Sequence, residues 1–376
     1  MRNGLLAAVG LLLVATALPA QDAVPAAQSR GWVRADYLLW WVKDGPSSTP
    51  LLTTGPPESF GVPGRPGTVE LFGGSGFDFG SANGLRISAG WDADPDGFGF
   101  TASGFLLEPK STGYSIEAGL DGVPLLASPI VNPRTGQLTT SVANNTGIVP
   151  TGYAGIAASR LWGADANGLF PQATFGDLRV RPLAGFRYLD LEEGLRYNNA
   201  LFNKSGGGTL LPGSSIAQRG EFNTRSQFYG PQVGAVAAYQ TGALTVAGTV
   251  KLAAGVSHNS VEIRGRETIR NPDGTTRPDV SALYVLPSNI GRTTKDFFAV
   301  IPEVGVDMGY DVTDRVRVSA GYTFLYWSNV VRPAEQIDFE VNTAQIFGVP
   351  PLRPMSMFNT TDFWVHGVNF GLTVRY

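Results

Sequence analysis

Charged side chains, most of them basic, alternate with apolar ones in several segments of this chain. The residues on the charged face are Arg34, Asp36, Arg86, Asp177, Arg179, Arg181, Arg187, Lys251, Glu303, Asp307, Arg315, Arg317 and Arg375. If this face lines an enclosed space, it forms either a cationic wall that attracts anions or a network of arginine–carboxylate pairs that fills the space. Residue types alone leave both alternatives open.

A second chemical pattern is the acidic turn at residues 92–97, D-A-D-P-D-G, which matches the first half of a calcium-binding loop. Asp92, Asp94 and Asp96 would supply three carboxylates to one ion. The twelfth position of the loop, however, is Ser103, where calcium needs a bidentate glutamate. The pattern is therefore a weak candidate for a metal site, and an acidic hairpin turn is the alternative.

The elements that position these side chains are strands, and the last stretch, Asp362–Tyr376, shows this most clearly. From residue 364 onward its even positions are Trp364, His366, Val368, Phe370, Leu372, Val374 and Tyr376, and the odd ones include small or polar residues. A repeat of two residues indicates a strand with one apolar face and one polar face. The last strand of a soluble β-sandwich is one interpretation. The closing strand of a membrane barrel is favoured, because such barrels need this alternation on every strand.

The same alternation upstream predicts an all-β fold, a transmembrane antiparallel β-barrel of about ten strands (range eight to twelve). The predicted strands are 31–42, 84–91, 98–107, 152–162, 177–189, 226–240, 243–257, 297–311, 315–327 and 362–376. Short periplasmic turns are predicted at 92–97, 163–176, 241–242 and 312–314, and long extracellular loops at 43–83, 110–150, 192–225, 258–296 and 328–362. This sorting of connections is typical of bacterial barrels. Pro182, Pro231 and Pro302 lie inside predicted strands, where we expect bulges.

Aromatic residues near the strand ends predict girdles at the two membrane interfaces. These residues are Tyr37, Trp40, Trp41, Tyr310, Tyr326, Trp327, Trp364 and Tyr376. Charges in the eighth and ninth strands occupy one face only, and an Arg or Lys facing lipid at the bilayer centre would cost about 2–4 kcal/mol. The sorting of charges therefore favours a membrane barrel over a sandwich.

The first residues predict a targeting segment outside the fold. Arg2 precedes an apolar run from Leu5 to Ala17, so residues 1–20 are interpreted as a secretory signal peptide, with cleavage as late as residue 26 as an alternative. The run is shorter than the roughly 18–20 residues that a membrane-spanning helix needs. Residues 31–376 are predicted to form a single barrel domain.

Composition narrows the classes of partner and cofactor. With 16% charged residues and a net charge of −3, the chain gives no reason to expect nucleic-acid binding. It has no cysteine, which excludes disulfides and thiolate metal sites. No cofactor is expected, because the glycine-rich run at 73–84 lacks the Lys-Ser/Thr that follows in a phosphate-binding loop.

Several motifs resemble one known family. Residues 31–46, G-W-V-R-A-D-Y-L-L-W-W-V-K-D-G-P, with P-L-L-T-T-G at 50–55, look like the opening of a bacterial outer-membrane family known as β-barrel protein seven. G-L-R at 84–86 and G-W-D-A-D-P-D-G-F-G-F at 90–100 resemble its next hairpin, and the aromatic C-terminus matches too. The resemblance implies a place in the outer membrane, with membrane lipid as a partner, but no activity and no catalytic residues. We expect the barrel-assembly machinery to recognise the C-terminal strand. The oligomeric state is not predicted.

Three functions remain open. The leading hypothesis is a non-enzymatic envelope protein that has a structural or surface-interaction role through long external loops. The second is a narrow porin-like channel with anion preference, for which the basic face is the argument. The third is a rim protease, since His258 and His366 lie near the loop-side ends of strands. Asp362 with His366 is similar to the Asp and His at the rim of the omptins, ten-stranded outer-membrane proteases, although the omptin acid pairs are not evident.

Overall fold

A computed structural model describes residues 30–93, 97–144, 147–205, 210–342, 344–345 and 349–376. The predicted signal peptide lies outside the described residues, as do Asp94 and Asp96 of the acidic turn. Within the described ranges, no helix has the length and apolar character needed to cross a membrane.

Ten strands form the main sheet, and each pairs antiparallel with its neighbours in chain order. They are β1 (Gly31–Val42), β2 (Ser81–Asp92), β3 (Gly99–Leu107), β4 (Ile148–Leu169), β5 (Leu178–Asn203), β6 (Ser215–Thr241), β7 (Leu244–Arg270), β8 (Gly291–Asp311), β9 (Val316–Val330) and β10 (Thr361–Arg375). The last strand pairs with the first, from Trp32↔Arg375 to Val42↔Val365, and so closes the sheet. The predicted ten-stranded antiparallel barrel is confirmed.

The outer surface of the barrel carries a band of exposed apolar side chains. On β8 the outward residues are Val304, Val306, Met308 and Tyr310, and on β10 they are Phe370, Leu372 and Val374. Exposed apolar patches of this extent are rare on soluble proteins. The inward neighbours on the same strands are polar, such as Glu303 and Asp307 on β8 and Asn369 and Thr373 on β10. This is the alternation that a membrane-spanning barrel requires.

The two ends of the barrel differ. At one end, called here the short-turn end, the connections are 93–98, 170–177, 242–243 and 312–315, with an additional short strand, Ala173–Phe175, that pairs with the start of β5. The start of β1 and the end of β10 also meet here, where the Gly31 N–H donates to the Tyr376 carbonyl at 3.1 Å. The other end, the long-connection end, carries residues 43–80, 108–147, 204–214, 271–290 and 331–360.

Four strands are much longer than predicted. The lengths of β4, β5, β6 and β7 are 22, 26, 27 and 27 residues, whereas about 9–11 residues span a bilayer. The predicted loops at 192–225 and 258–296 therefore shrink to 204–214 and 271–290. The strands continue because their inner faces remain apolar, with Tyr197, Phe222 and Ile263 fully buried.

The long connections fold into a cap, defined here as the described residues within 43–80, 108–147, 271–290 and 331–360, together with the upper parts of β4–β7, meaning the parts nearest the long-connection end. Within the cap, Lys110–Glu117 pairs with upper β4 and Thr276–Asp279 with upper β7, while Pro50–Thr54 pairs with Val69–Gly73 and Pro129–Val131 with Leu138–Thr140. The cap also contains a four-residue helix, Ser141–Asn144, and 3₁₀ turns at Pro57–Ser59 and Pro333–Gln336. A hydrophobic cluster that includes Leu51, Phe72, Leu126, Tyr284 and Val331 holds these pieces together.

The bulges expected at three prolines are absent from the register of the described strands. Pro182 and Pro302 lie just beyond the last pairs of a ladder, Leu183↔Leu169 and Glu303↔Leu325. Between β6 and β7 the register passes from Tyr229↔Val256 to Gln232↔Ala253 without a shift, and Pro231 falls in this gap. The described register shows no shift at any of the three prolines, so the prediction of bulges is wrong.

Candidate functional site

The interior of the barrel is divided by a contiguous layer of buried apolar side chains. All ten strands contribute to this apolar layer. Its members are Leu38, Trp40, Val42, Ala82, Leu107, Leu161, Leu189, Leu191, Phe228, Ala253, Ala299, Ile301, Leu325, Trp327, Val330, Phe363 and Val365. Its members come from every strand, pack against one another and are at most 7% exposed, so the layer lies across the barrel interior between the cap and the short-turn end.

A polar cavity of about 660 Å³ lies on the short-turn side of this layer. Its charged lining residues are Arg34, Asp36, Arg86, Asp165, Arg179, Arg181, Arg187, Lys251, Glu303, Asp307, Arg317 and Arg375. Its floor is the apolar layer, which it meets at Phe105 and Leu189. Its mouth is formed by strand ends next to the short turns, such as Arg179, Gln240 and Arg317.

The carboxylates of the cavity are all engaged by cations. Arg187 contacts Glu303 at 2.6 Å and Asp165 at 3.7 Å, and Lys251 contacts Asp165 at 3.4 Å. Arg34 binds two acids, Asp36 at 2.6 Å and Asp307 at 2.7 Å. This network ties together strands β1, β4, β5, β7 and β8 across the interior.

Two further clusters lie at the mouth. Arg181 contacts Asp92 at 2.5 Å. Asp311 accepts from Arg317 at 2.8 Å and from Arg375 at 3.0 Å. The mouth therefore holds more guanidinium groups than carboxylates among the described residues.

On the other side of the apolar layer, a buried ion pair joins the barrel to the cap. Arg332 is 0% exposed and contacts both carboxylate oxygens of Glu193, at 2.6 and 2.7 Å. Its guanidinium also donates to the carbonyls of Lys43 and Asp44. Farther into the cap, Tyr284 donates its hydroxyl to the Pro129 carbonyl at 2.7 Å, and burial raises the pKa of Tyr284 well above its usual range.

The structure places eleven of the twelve predicted lumen residues around the polar cavity. The exception is Arg315, for which the prediction is wrong: it lies exposed in the turn 312–315, because β9 begins only at Val316. Asp177 also falls in an exposed turn. Sequence reasoning missed Asp165, since the predicted fourth strand ended at residue 162, and the Arg332–Glu193 pair, which lies where loops were expected.

The predicted aromatic girdle is wrong for two members. Trp40 and Trp327 are fully buried in the apolar layer, because each shares the parity of the inward residues on its strand. The exposed members of the predicted set are Tyr37, Trp41, Tyr310 and Tyr376, and the half-exposed ones are Tyr326 and Trp364. The signal was present in the sequence: Trp40 follows Arg34, Asp36 and Leu38 at intervals of two.

The histidines do not assemble a protease-like site among the described residues. The Nδ1 atom of His366 lies 2.8 Å from the Tyr322 hydroxyl on the outer surface, between Trp41 and Trp364. Asp362 instead contacts Lys43 at 2.8 Å. His258 pairs with Asp296 at 2.6 Å, also outside the barrel. The weak metal candidate Asp92 is bound to Arg181, and its two partners lie outside the described residues.

Solved outer-membrane barrels are similar to this chain at low identity. The outer membrane protease OmpT from Escherichia coli is 12% identical, over 92% of this chain and 97% of that chain, with a TM-score of 0.39. A TodX monoaromatic hydrocarbon channel mutant is 9% identical over 93% and 91% of the two chains, with a TM-score of 0.27. A major outer membrane protein from Thermus thermophilus is 10% identical over 92% and 99%, with a TM-score of 0.22. At these TM-scores, none of the three informs the function of this chain.

The family to which the chain belongs follows from its sequence. No curated protein matches it at a significant level. The family model described as "Putative beta barrel porin-7 (BBP7)" matches residues 32–376, which is nearly the whole closed barrel together with its cap. The apolar outer band and the closed sheet of ten strands agree with that description. The chain is therefore a bacterial outer-membrane β-barrel that belongs to the beta barrel porin-7 family.

Proposed function

We propose that the protein is a non-enzymatic scaffold of the outer membrane, in which a closed barrel anchors a folded cap at the cell surface for a structural or interaction role. The observation that carries this proposal is the apolar layer. Seventeen buried side chains, drawn from every strand, separate the polar cavity from the cap. Close-packed apolar side chains leave no room for a file of water molecules.

The orientation is inferred from the connections. Bacterial barrels place short turns in the periplasm and longer connections outside. The short-turn end here carries connections of a few residues and both ends of the closed sheet, whereas the cap occupies the opposite end. Outward ion pairs of the long strands, such as Arg196–Glu221 at 3.2 Å, support a position of the cap in water rather than lipid.

The absence of enzymatic activity is also part of the proposal. A rim protease needs a general base within hydrogen-bond reach of an attacking water. His366 is engaged by Tyr322 on the outer surface, and Asp362 is engaged by Lys43. These contacts support a structural role for both residues.

The second candidate, a porin-like channel with anion preference, is favoured by the family description and by the basic lining of the cavity. Conduction would require the apolar layer to open. It would then produce anion-selective current, because arginines outnumber carboxylates along the path.

Single-cysteine labelling in intact cells tests the surface role. The natural chain has no cysteine, so Asp273→Cys in the cap hairpin and Asp314→Cys in a short turn would each be the sole target of a membrane-impermeant maleimide of several kilodaltons. Both positions are exposed. We expect Asp273→Cys to react in intact cells and Asp314→Cys to react only after the outer membrane is disrupted. The reverse pattern would overturn the proposal, and a periplasmic cysteine protein controls for leaky cells.

A further inference from the structure

The cavity has the volume of a small-molecule site. Its volume of about 660 Å³ lies within the roughly 300–1,000 Å³ typical of small-molecule pockets. It is closed at one end by the apolar layer and bounded at the other by the short turns. A solute that enters from the short-turn end therefore passes walls lined by cations and meets an apolar floor.

The charges of the cavity do not balance. The carboxylates Asp36, Asp165, Glu303 and Asp307 are satisfied by Arg34, Arg187 and Lys251. At the mouth, Asp92 and Asp311 are satisfied by Arg181, Arg317 and Arg375. Arg86 and Arg179 have no ion pair among the residues that the structure describes. Counted together, eight cations face six carboxylates, so the cavity and its mouth carry an excess of positive charge that favours the entry of an anion.

Arg86 is held in a geometry that suits an anion. Its guanidinium carbon lies 5.1 Å from the centroid of the Trp40 ring and 5.8 Å from that of Phe105. Contact with two aromatic rings restrains the guanidinium, and no described residue forms a hydrogen bond or ion pair with it, so it can donate two bonds to a carboxylate or phosphate. The rings lie at the floor of the cavity, so Arg86 offers these donors at its closed end.

A second unpaired donor lines the same cavity. Arg187 is only 2% exposed, and its Nη1 atom has no hydrogen-bond partner although its Nη2 atom contacts Glu303 at 2.6 Å. A buried donor without a partner costs about 1–3 kcal/mol. This atom is shielded from the cavity, but Arg187 lines it, so a small shift of the side chain would turn the free donor toward an anion oxygen bound at Arg86.

We propose that the cavity binds a small organic anion, a carboxylate attached to a flat or apolar body, which enters from the short-turn end and is held by Arg86 and Arg187. The apolar body would pack on Phe105, Leu183 and Leu189, which line the cavity. The arginines at the mouth would raise the local concentration of anions. This inference goes beyond the scaffold role and rests on the closed floor, but not on the orientation of the barrel.

Calorimetric titration of the refolded protein in uncharged detergent tests the proposal. The probe is 1-naphthoate, and 1-naphthalenemethanol is the matched neutral control for partitioning into micelles. We expect saturable binding of the carboxylate at low ionic strength, at least tenfold tighter than that of the alcohol. Absence of saturable binding, or equal affinity for the two compounds, would overturn the proposal.

Variants assign the site. Arg86→Gln removes the charge and should weaken naphthoate binding at least tenfold. Arg86→Lys keeps the charge but loses the paired guanidinium donors, so it should retain part of the affinity. Arg315→Gln removes a cation in an exposed turn and should bind as the natural protein does. Heat-modifiable gel migration confirms that each variant is folded. Unchanged affinity in folded Arg86→Gln would refute the site. Channel currents from a protein that binds naphthoate would reject the closed scaffold instead, so the two failures are distinguishable.

Discussion

Arg332 stands at the junction of barrel and cap, and its environment determines what its loss would do. Its guanidinium is fully buried and satisfies both oxygens of Glu193 together with two loop carbonyls. Arg332→Ala would leave the Glu193 carboxylate buried without a partner. We expect the free energy of unfolding to fall by about 3–5 kcal/mol. Urea titration of the folded protein in liposomes, followed by gel mobility, measures this change.

A matched control is the ion pair formed by Glu192, the residue before Glu193. Glu192 pairs with Arg160 at 3.8 Å on the outer surface, and both side chains are more than half exposed. Arg160→Ala should cost no more than about 1 kcal/mol. If the two variants were equally stable, the Arg332–Glu193 pair would not be buried as described.

For single residues, the sequence predicts whether a side chain points into the barrel better than it predicts which partner that side chain binds. Period-two alternation assigned Arg34, Asp36 and Arg187 to the inner face, where the structure places them. It could not tell which cations are paired, because pairs such as Arg187–Glu303 join β5 to β8, strands that are far apart in the chain. Trp40 was misplaced when its residue type was weighed above its parity.

At the level of elements, β1 presents two adjacent tryptophans to opposite environments. Trp40 is fully buried in the apolar layer, and Trp41 is 40% exposed on the outer surface. Trp40→Ala should lower the free energy of unfolding by about 3–5 kcal/mol, because it leaves a cavity and removes the ring under Arg86. Trp41→Ala should have a smaller effect. A larger loss for Trp41→Ala would contradict the assignment of the two faces.

The ends of strands were predicted less well than their centres. Alternation locates a membrane-spanning strand because lipid and lumen impose opposite polarities. Toward the cap the outer face of β5 carries charge, with Arg196 paired to Glu221 of β6, while Tyr197 packs inward against the cap. Alternation continues in that region, but with charges on the outer face it no longer matches a lipid-facing strand. The predicted strands for β5–β7 are therefore too short.

For the molecule as a whole, the cap is a second packed unit on top of the barrel. Tyr284 touches three parts of it: its N–H donates to the Tyr197 hydroxyl at 3.0 Å, its hydroxyl donates to Pro129, and its ring packs 5.3 Å from that of Phe339. Tyr284→Ala should open the cap locally and increase cleavage within residues 108–147 by trypsin, while the barrel keeps its heat-modifiable migration.

Val280→Ala is the control for this prediction, because Val280 belongs to the same connection and is exposed. Its cleavage pattern should match that of the natural protein. Loss of heat-modifiable migration in Tyr284→Ala would show instead that cap and barrel unfold together.

The cap could not be predicted from the sequence. Its hydrophobic cluster draws Leu51, Leu126, Tyr284 and Val331 from four separate connections. These residues follow no shared period, since each connection turns irregularly, and long connections without periodicity are interpreted as loops. The number of strands, by contrast, followed from local patterns alone.

The central claim is that the apolar layer closes the barrel, and single-channel recording in a planar bilayer tests it most directly. The natural protein, shown by heat-modifiable migration to be folded, should give no steady current, whereas the double variant Trp40→Ala/Trp327→Ala, which removes two large side chains from the layer, should conduct. Steady anion-selective steps from the natural protein would contradict the claim and make the protein a channel.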